Sequence, residues 1–327
     1  WDLQFAALED GGHYADMLQE MGFQVTIIGQ GKSRRQRIAS LRQFLIDQQV
    51  QILHSHNTLS LLDGVAALRG TQTVHVNTRH GQIAGTNWRA RLLYRLASSR
   101  LDRILCISED TRRCALKDGV AESRLQTLHN GIDTGLLPEQ IDWTAPRPLQ
   151  AITVARLESI KDIPTMLEAI KLASNDIPDL RLQIVGDGSE MARLQDITRQ
   201  SGLLDRVQFL GKRSDVPDLL QQAGFYLASS VSEGMSLAVL EAMGAGLPVI
   251  TTDVGGNPEI VDSSYGYLVP AGNPRAMADA IRTLCKCQNE WGSLGQMARK
   301  RVLEHFNAAR MLRDYEQVYD ECLKAKS

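Results

Sequence analysis

The chain has 327 residues, of which 43% are hydrophobic and 23% charged, and its formal net charge is -2. That length exceeds what one hydrophobic core usually serves, the composition excludes a disordered chain, and the near-neutral charge argues against a dedicated nucleic-acid binder. Five cysteines, odd in number and without C-x-x-C spacing, fit reduced thiols in a cytoplasmic protein.

Short apolar runs alternate with longer amphipathic ones, the pattern of parallel strands wrapped in helices. The sequence opens on Trp1, and residues 3–8 already read as a buried strand. A parallel sheet lacking its first strand would expose apolar edges, so a preceding strand–helix unit of roughly 30 residues is expected, unless 3–8 pairs elsewhere. Further strands are predicted at 23–28, 52–54, 73–77, 103–107 and 125–129, with helices at 34–48, 88–97 and 110–117. Pro138, Pro146 and Pro148 then bracket a polar stretch without period, read as the linker. The pattern restarts with strands at 151–155, 182–185, 207–210, 225–228, 248–251 and 266–269. Helices are expected at 164–173, 190–200, 216–221, 236–245, 274–284 and 308–323. No apolar run approaches the ~20 residues of a membrane-spanning helix. The domains implied are 1–145, 146–306 and a C-terminal helix, 307–327, returning to the first domain.

In open α/β sheets the ligand sits beyond the carboxyl ends of the strands, so the residues after each second-half strand belong together. These are Arg156 and Lys161, Gly186-Asp187-Gly188, the loop from Ser229 to Gly234, and Asp253-Val254-Gly255-Gly256. Two cations and a helix start on one rim suit a diphosphate. The sharpest segment is Glu233-Gly-Met-Ser-Leu-Ala-Val-Leu-Glu241, in which Gly234, Met235, Ser236 and Leu237 close a loop and open a helix. Glu241 falls within an apolar helix, where a carboxylate is costly unless something satisfies it; a ribose diol next to a diphosphate would do so. The plainer alternatives are a solvated basic loop for Arg156 and Lys161, a helix cap for Glu233, an arginine partner or exposure to solvent for Glu241 and a satisfied buried histidine for His80. His54 and His56 are assigned to opposite faces of a strand end, so that at most one looks into the cleft, with His56 preferred and structural packing as its alternative.

The segment from Glu233 to Glu241, followed by Ala-Met-Gly-Ala-Gly-Leu-Pro-Val-Ile, closely resembles the signature of the retaining GT-B glycosyltransferases of family four. Thr153-Val-Ala-Arg156-Leu with Lys161-Asp, Ile184-Val-Gly-Asp-Gly188, Val207-Gln-Phe-Leu-Gly211 and Gly266-Tyr-Leu-Val-Pro270 are similar to its other nucleotide-side loops. His54-Ser-His56, Cys106-Ile-Ser108 and His129-Asn-Gly-Ile-Asp133 are similar in the first half. The resemblance implies an α/β fold of two Rossmann-like parallel-sheet domains facing a central cleft, the N-terminal one without its first strand. It implies that Arg156 and Lys161 neutralise the donor diphosphate, that Glu241 holds the ribose, and that Glu233 binds the transferred sugar with backbone help from Gly234 to Leu237. His80, in Asn77-Thr-Arg-His80-Gly, would lie beside the anomeric carbon. No metal and no cofactor beyond a UDP- or GDP-linked sugar is implied. The partners expected are that donor and a lipid-linked or saccharide acceptor, with no nucleic acid. Arginines interleaved with large apolar residues in Trp88-Arg-Ala-Arg-Leu-Leu-Tyr-Arg-Leu96 suit peripheral contact with an anionic membrane as well as an ordinary half-buried helix. The rival functions are a non-catalytic sugar-nucleotide-binding relic, a phosphorylase and a Rossmann oxidoreductase. The last is weakened by the lack of a G-x-G-x-x-G after a strand.

Overall fold

The computed structural model describes residues 1–81, 88–139 and 141–326. Gln140, inside the expected linker, lies outside the described residues. The chain divides into two compact units, one of Trp1–Cys106, Arg112–Thr127 and Glu316–Ser327, the other of Ile107–Thr111 and Leu128–Tyr315.

The first unit alternates β1 (Phe5–Ala7), α1 (Gly12–Glu20), β2 (Val25–Ile27), α2 (Arg34–Asp47), β3 (Ile52–Ser55) and α3 (Thr58–Ala67). It continues through β4 (Val74–Arg79), α4 (Trp88–Ser98), β5 (Arg103–Cys106), α5 (Glu109–Lys117) and β6 (Leu125–Thr127). All ladders are parallel, but the strands fall into two sheets, β1-β2 and β3-β4-β5-β6. The 3–8 run therefore pairs with β2, and among the described residues no strand joins β1 to β3. β4 is buried at every position, as an inner strand covered on both faces must be. Helix starts are chemically marked: Ser33 with Gln36, and Asn57 with Ser60, each form reciprocal capping pairs. The fully buried Asp63 of α3 is held by Arg34 at 2.9 Å and Arg37 at 2.7 Å, because a buried carboxylate without partners would be strongly destabilising.

The second unit contains β7 (Gln150–Val154), α6 (Ile163–Ser174), β8 (Arg181–Val185), α7 (Met191–Gln200), β9 (Val207–Gly211), α8 (Val216–Gln222) and β10 (Phe225–Ala228). After these come α9 (Leu237–Gly244), β11 (Val249–Thr252), α10 (Asn257–Ile260), β12 (Gly266–Val269), α11 (Pro274–Lys286), α12 (Trp291–His305) and α13 (Ala308–Lys326). Its single parallel sheet has the order β12-β11-β10-β7-β8-β9. Successive residues of a strand point to opposite faces, and the core obeys this. Phe225 and Leu227 enter the layer formed with Met166, Leu167 and Ile281, while Tyr226 and Ala228 enter the layer formed with Val239, Leu240 and Met243. Each layer is an apolar sheet face closed by helices, the standard way to remove both from water.

Two Rossmann-like parallel-sheet units are thus present, as the resemblance implies. The stretch after Pro138 is not a free tether: the Trp143 ring packs beside Gly246, and the Trp143 carbonyl lies against Gly292. α13 begins in the second unit, and from Glu316 onward it belongs to the first, where Val318 and Cys322 are buried and Lys326 meets Asp102 at 2.9 Å.

Candidate active site

The strand order of the second unit reverses between β7 and β10: the chain leaves β7 toward β8 and β9, then returns to β10 on β7's other side. Loops leaving such a pair diverge and open a crevice at the carboxyl ends. A cavity lies there, lined by Thr153 to Ala155, Lys161 and Ile163 on one side and by Tyr226, Ala228 to Ser230, Glu233 and Ser236 on the other.

Lys161 ends a short 3-10 turn, and its Nζ donates to Glu233 Oε1 at 2.5 Å. Ser230 Oγ donates to the same oxygen at 2.7 Å. The two loops are stitched together by Val231 N on Ile160 O at 2.9 Å and Ser229 Oγ on Lys161 O at 2.8 Å. The Gly255-Gly256 turn closes the far side. Gly256 N donates to Gly234 O at 3.0 Å, while a Cβ on Gly255, which has φ +56°, would fall 1.8 Å from the Glu233 carbonyl oxygen. Only glycine allows that approach.

Ser236, which lines the cavity, caps α9 through its Oγ, which accepts from Val239 N at 3.4 Å; a helix start leaves further first-turn N–H groups without an intrahelical partner. Met235 is buried, Leu237 is exposed and Glu241 is half-buried. Burial raises the Glu241 carboxyl above its ordinary pKa, and among the described residues its carboxylate has no hydrogen-bond or ion-pair partner. The arginine partner considered for it is therefore not present among them. Arg156 is exposed and equally unpaired there. Gly186-Asp187-Gly188 follows β8 on the same rim; Leu157 N donates to Asp187 O at 2.9 Å, tying this loop to the one carrying Arg156.

Two contributors were not anticipated. Tyr226 is buried, and its hydroxyl donates to Val154 O at 3.1 Å, bracing β7 against β10 beneath the cavity. A tyrosine in an otherwise apolar inner strand is the signal that could have marked it. Glu259 of α10 accepts from the backbone N–H groups of Glu109 at 2.9 Å and Asp110 at 3.1 Å, and from His129 Nε2 at 2.9 Å. Burial alone would raise its carboxyl, yet His129 and these N–H groups hold it below the usual range.

His80 belongs to the first unit, directly after β4. The buried Arg79 beside it fixes the turn, with Nε donating to Gly81 O at 3.0 Å and a second nitrogen to Asp118 at 2.6 Å. The assignment of His54 and His56 to opposite faces is corrected: their rings stack at 4.3 Å. Residues two apart on a strand share a face, and both imidazoles rise on the side of His80. His54 is hydrogen-bonded at both nitrogens, to Tyr319 at 2.5 Å and Thr78 at 2.8 Å. Burial, then the neighbouring rings, lower its pKa to about 3.

Residues 142–301 match the family described as glycosyl transferases group 1, and residues 31–136 match glycosyltransferase family 4. The chain is 26% identical to N-acetyl-alpha-D-glucosaminyl L-malate synthase of Bacillus anthracis, covering 85% of this chain and 76% of that one. It is 27% identical to the UDP-Gal:alpha-D-GlcNAc-diphosphoundecaprenol alpha-1,3-galactosyltransferase of Escherichia coli, covering 86% and 78%. The crystal structure of Anabaena HepE in complex with UDP superposes with a TM-score of 0.86 at 18% identity, over 95% of this chain and 90% of that one, and shares its fold. With the two Rossmann-like units of the GT-B fold and a crevice where the strand order reverses, the chain belongs to the group 1 glycosyltransferases.

Proposed function

We propose that the protein transfers a hexose from a UDP- or GDP-linked donor to a lipid-linked or saccharide acceptor, with retention, in the synthesis of cell-surface polysaccharide or glycolipid. The observation that carries this is the Lys161–Glu233 pair set at the reversal of strand order, beside the start of α9 and a Glu241 with no hydrogen-bond or ion-pair partner among the described residues. The diphosphate is held by Arg156, Lys161, the 186–188 loop and the N–H groups at the start of α9, whose dipole favours an anion. Lys161 then exchanges Glu233 for phosphate oxygens, and the released Glu233 accepts from a hydroxyl of the sugar. Glu241 accepts from the ribose hydroxyls. The acceptor hydroxyl attacks the anomeric carbon on the face the diphosphate leaves, and its proton passes to a donor phosphate oxygen. His80 acts beside that carbon. The cations meet the charge that grows on the leaving nucleoside diphosphate, where electrostatic stabilisation is most effective. The scheme invokes no metal and no further cofactor. Support comes from the neighbour whose structure is with UDP and from the relative named for a UDP-galactose donor and a diphosphoundecaprenol-linked acceptor. A thermal-shift panel of UDP-, GDP- and ADP-sugars tests it, since a ligand at 100 times its Kd stabilises by ~2.7 kcal/mol. A flat response to all three would refute it.

The same proposal places the enzyme at the cytoplasmic face of an anionic membrane. None of the described helices is long and apolar enough to cross a bilayer, but α4 carries its large apolar residues outward. Trp88, Leu92 and Leu96 succeed one another at four-residue spacing and are 69%, 45% and 58% exposed, whereas Tyr94, Ala97 and Ser98 face the core. Arg89, Arg91 and Arg95 flank the stripe, and the helix has no acidic residue. An apolar stripe between cations fits the headgroup boundary of anionic lipid. Flotation with phosphatidylglycerol vesicles should recover the protein at low salt and lose it for Leu92→Ser/Leu96→Ser. Failure of the unaltered protein to float would remove the membrane from the proposal.

A further inference from the structure

The carboxyl ends of β3 and β4 bring three imidazoles into one stack. His54, tethered at both ring nitrogens, is the fixed base; a ring with one proton must donate at one of those bonds and accept at the other. Tyr319 closes edge-on against it at 5.7 Å, and Trp1 closes on Tyr319 at 5.5 Å. His56 lies flat on His54, with ring planes 25° apart, and its Nδ1 stands 3.2 Å from Nε2 of His80. The His56 and His80 rings are within 23° of parallel.

We propose that His56 is a positioning residue for His80: through the Nδ1–Nε2 hydrogen bond it fixes the orientation and tautomer of that imidazole and leaves Nδ1 as the nitrogen of His80 without a partner among the described residues. A hydrogen bond between two imidazoles needs an N–H on one ring and a lone pair on the other, so at most one of the two can be charged. The surroundings favour the pair with both rings neutral. Desolvation, then His80, lowers the His56 pKa to about 4, and desolvation lowers that of His80 as well. With Nε2 engaged, His80 cannot turn its ring without breaking the pair, and His56 cannot yield because His54 supports it from below. An orienting partner for a catalytic imidazole sets which nitrogen carries the proton and therefore whether the free one donates or accepts.

If His80 acts beside the reacting carbon, as proposed above, His56 should affect turnover and leave donor affinity alone. Four proteins separate the two statements: unaltered, His80→Ala, His56→Leu and His56→Asn. Turnover is read as release of nucleoside diphosphate from the sugar nucleotide that most raises the melting temperature, and binding by calorimetry with the same compound. His56→Leu should lower turnover roughly 10- to 100-fold, the scale of losing a partner that orients a functional imidazole. The nucleotide Kd should stay within about twofold. His56→Asn, whose amide can reach the position of Nδ1, should restore most of the loss. Nitrogen-15 spectra should show one tautomer of His80 in the unaltered protein and in His56→Asn, and a mixture in His56→Leu. An unchanged His75 signal reports an intact fold. If His80→Ala is inactive while His56→Leu turns over normally with an unchanged His80 spectrum, the positioning role is overturned and the catalytic proposal stands. Normal turnover in His80→Ala would overturn the catalytic proposal, while the His80 spectrum in His56→Leu would still decide the pairing.

Discussion

The two units end their strands in chemically opposite ways. At the carboxyl rim of the second, charge is set against charge: Lys161 with Glu233, an unpaired Arg156 nearby, and a half-buried Glu241 with no partner among the described residues. At the corresponding rim of the first stand neutral rings, His54, His56 and His80, kept uncharged mainly by desolvation. The sheets beneath differ in the same sense. Six contiguous strands with apolar layers on both faces support the second rim, whereas the first unit divides its strands between two sheets, with a small cluster of Ile28, Leu41, Leu45 and Ala67 near the minor one. A close backbone approach such as that at Gly255 is affordable where the surrounding core over-determines it. Charged groups that must be drawn apart by a ligand belong on the stiffer platform.

The largest expected effect is on stability. Leu227→Ala, in a fully buried position of β10, should cost about 4 kcal/mol, and Leu45→Ala, in the small cluster of the first unit, about 2 kcal/mol. Urea unfolding followed separately in each unit checks this, and equal costs would break the contrast between the platforms. Next, removing both Arg156 and Lys161 by alanine should weaken nucleoside diphosphate binding by about 3 kcal/mol, since hydrogen bonds to charged groups are worth ~1.5–3 kcal/mol each and share one ligand. His80→Ala, on the other rim, should leave that affinity unchanged. Calorimetry showing the reverse would exchange the roles of the rims.

Acid should distinguish the units with opposite signs. His54, His56 and His75 have folded pKa values of about 3, 4 and 4, below the ~6.5 of an unfolded histidine. Between those limits the unfolded chain binds more protons, so this stability is complete above the window and is lost as pH falls through it. Glu241 runs the other way: with its carboxyl raised, the folded form holds a proton longer, and its contribution is lost as pH rises through the folded value. Amide protection factors at pH 5 and 7.5 should therefore fall in β3 and β4 on acidification but hold in β7 and β10. A uniform loss would contradict the assignment.

How far the sequence revealed this follows the same physics. The inner strands were legible as short apolar runs, and α9 as a loop-to-helix transition with a misplaced carboxylate. α12 was hidden because Gly292 and Gly295 weaken its helical pattern; a Cβ there would lie 2.2 Å from Trp143 O and 2.1 Å from Gly246 O, so close packing and not local propensity selected them. α3 escaped notice because its apolar residues are buried on more than one side and leave no clean stripe. The Lys161–Glu233 pair, 72 residues apart in the chain, exists only through the reversal of strand order. The histidine stack was within reach, since two-residue spacing on a strand means a shared face.

The most direct test of the donor orientation compares Glu233→Gln and Glu241→Gln against a bare nucleoside diphosphate and its sugar nucleotide by calorimetry. Glu241→Gln should weaken both ligands alike, by about 1 kcal/mol, because ribose is common to them. Glu233→Gln should leave the bare nucleoside diphosphate at least as tightly bound, since Lys161 no longer has to be drawn from a carboxylate, while turnover of the sugar nucleotide falls. If Glu233→Gln instead weakened the bare nucleoside diphosphate, or Glu241→Gln spared it, the donor would lie in the crevice the other way round.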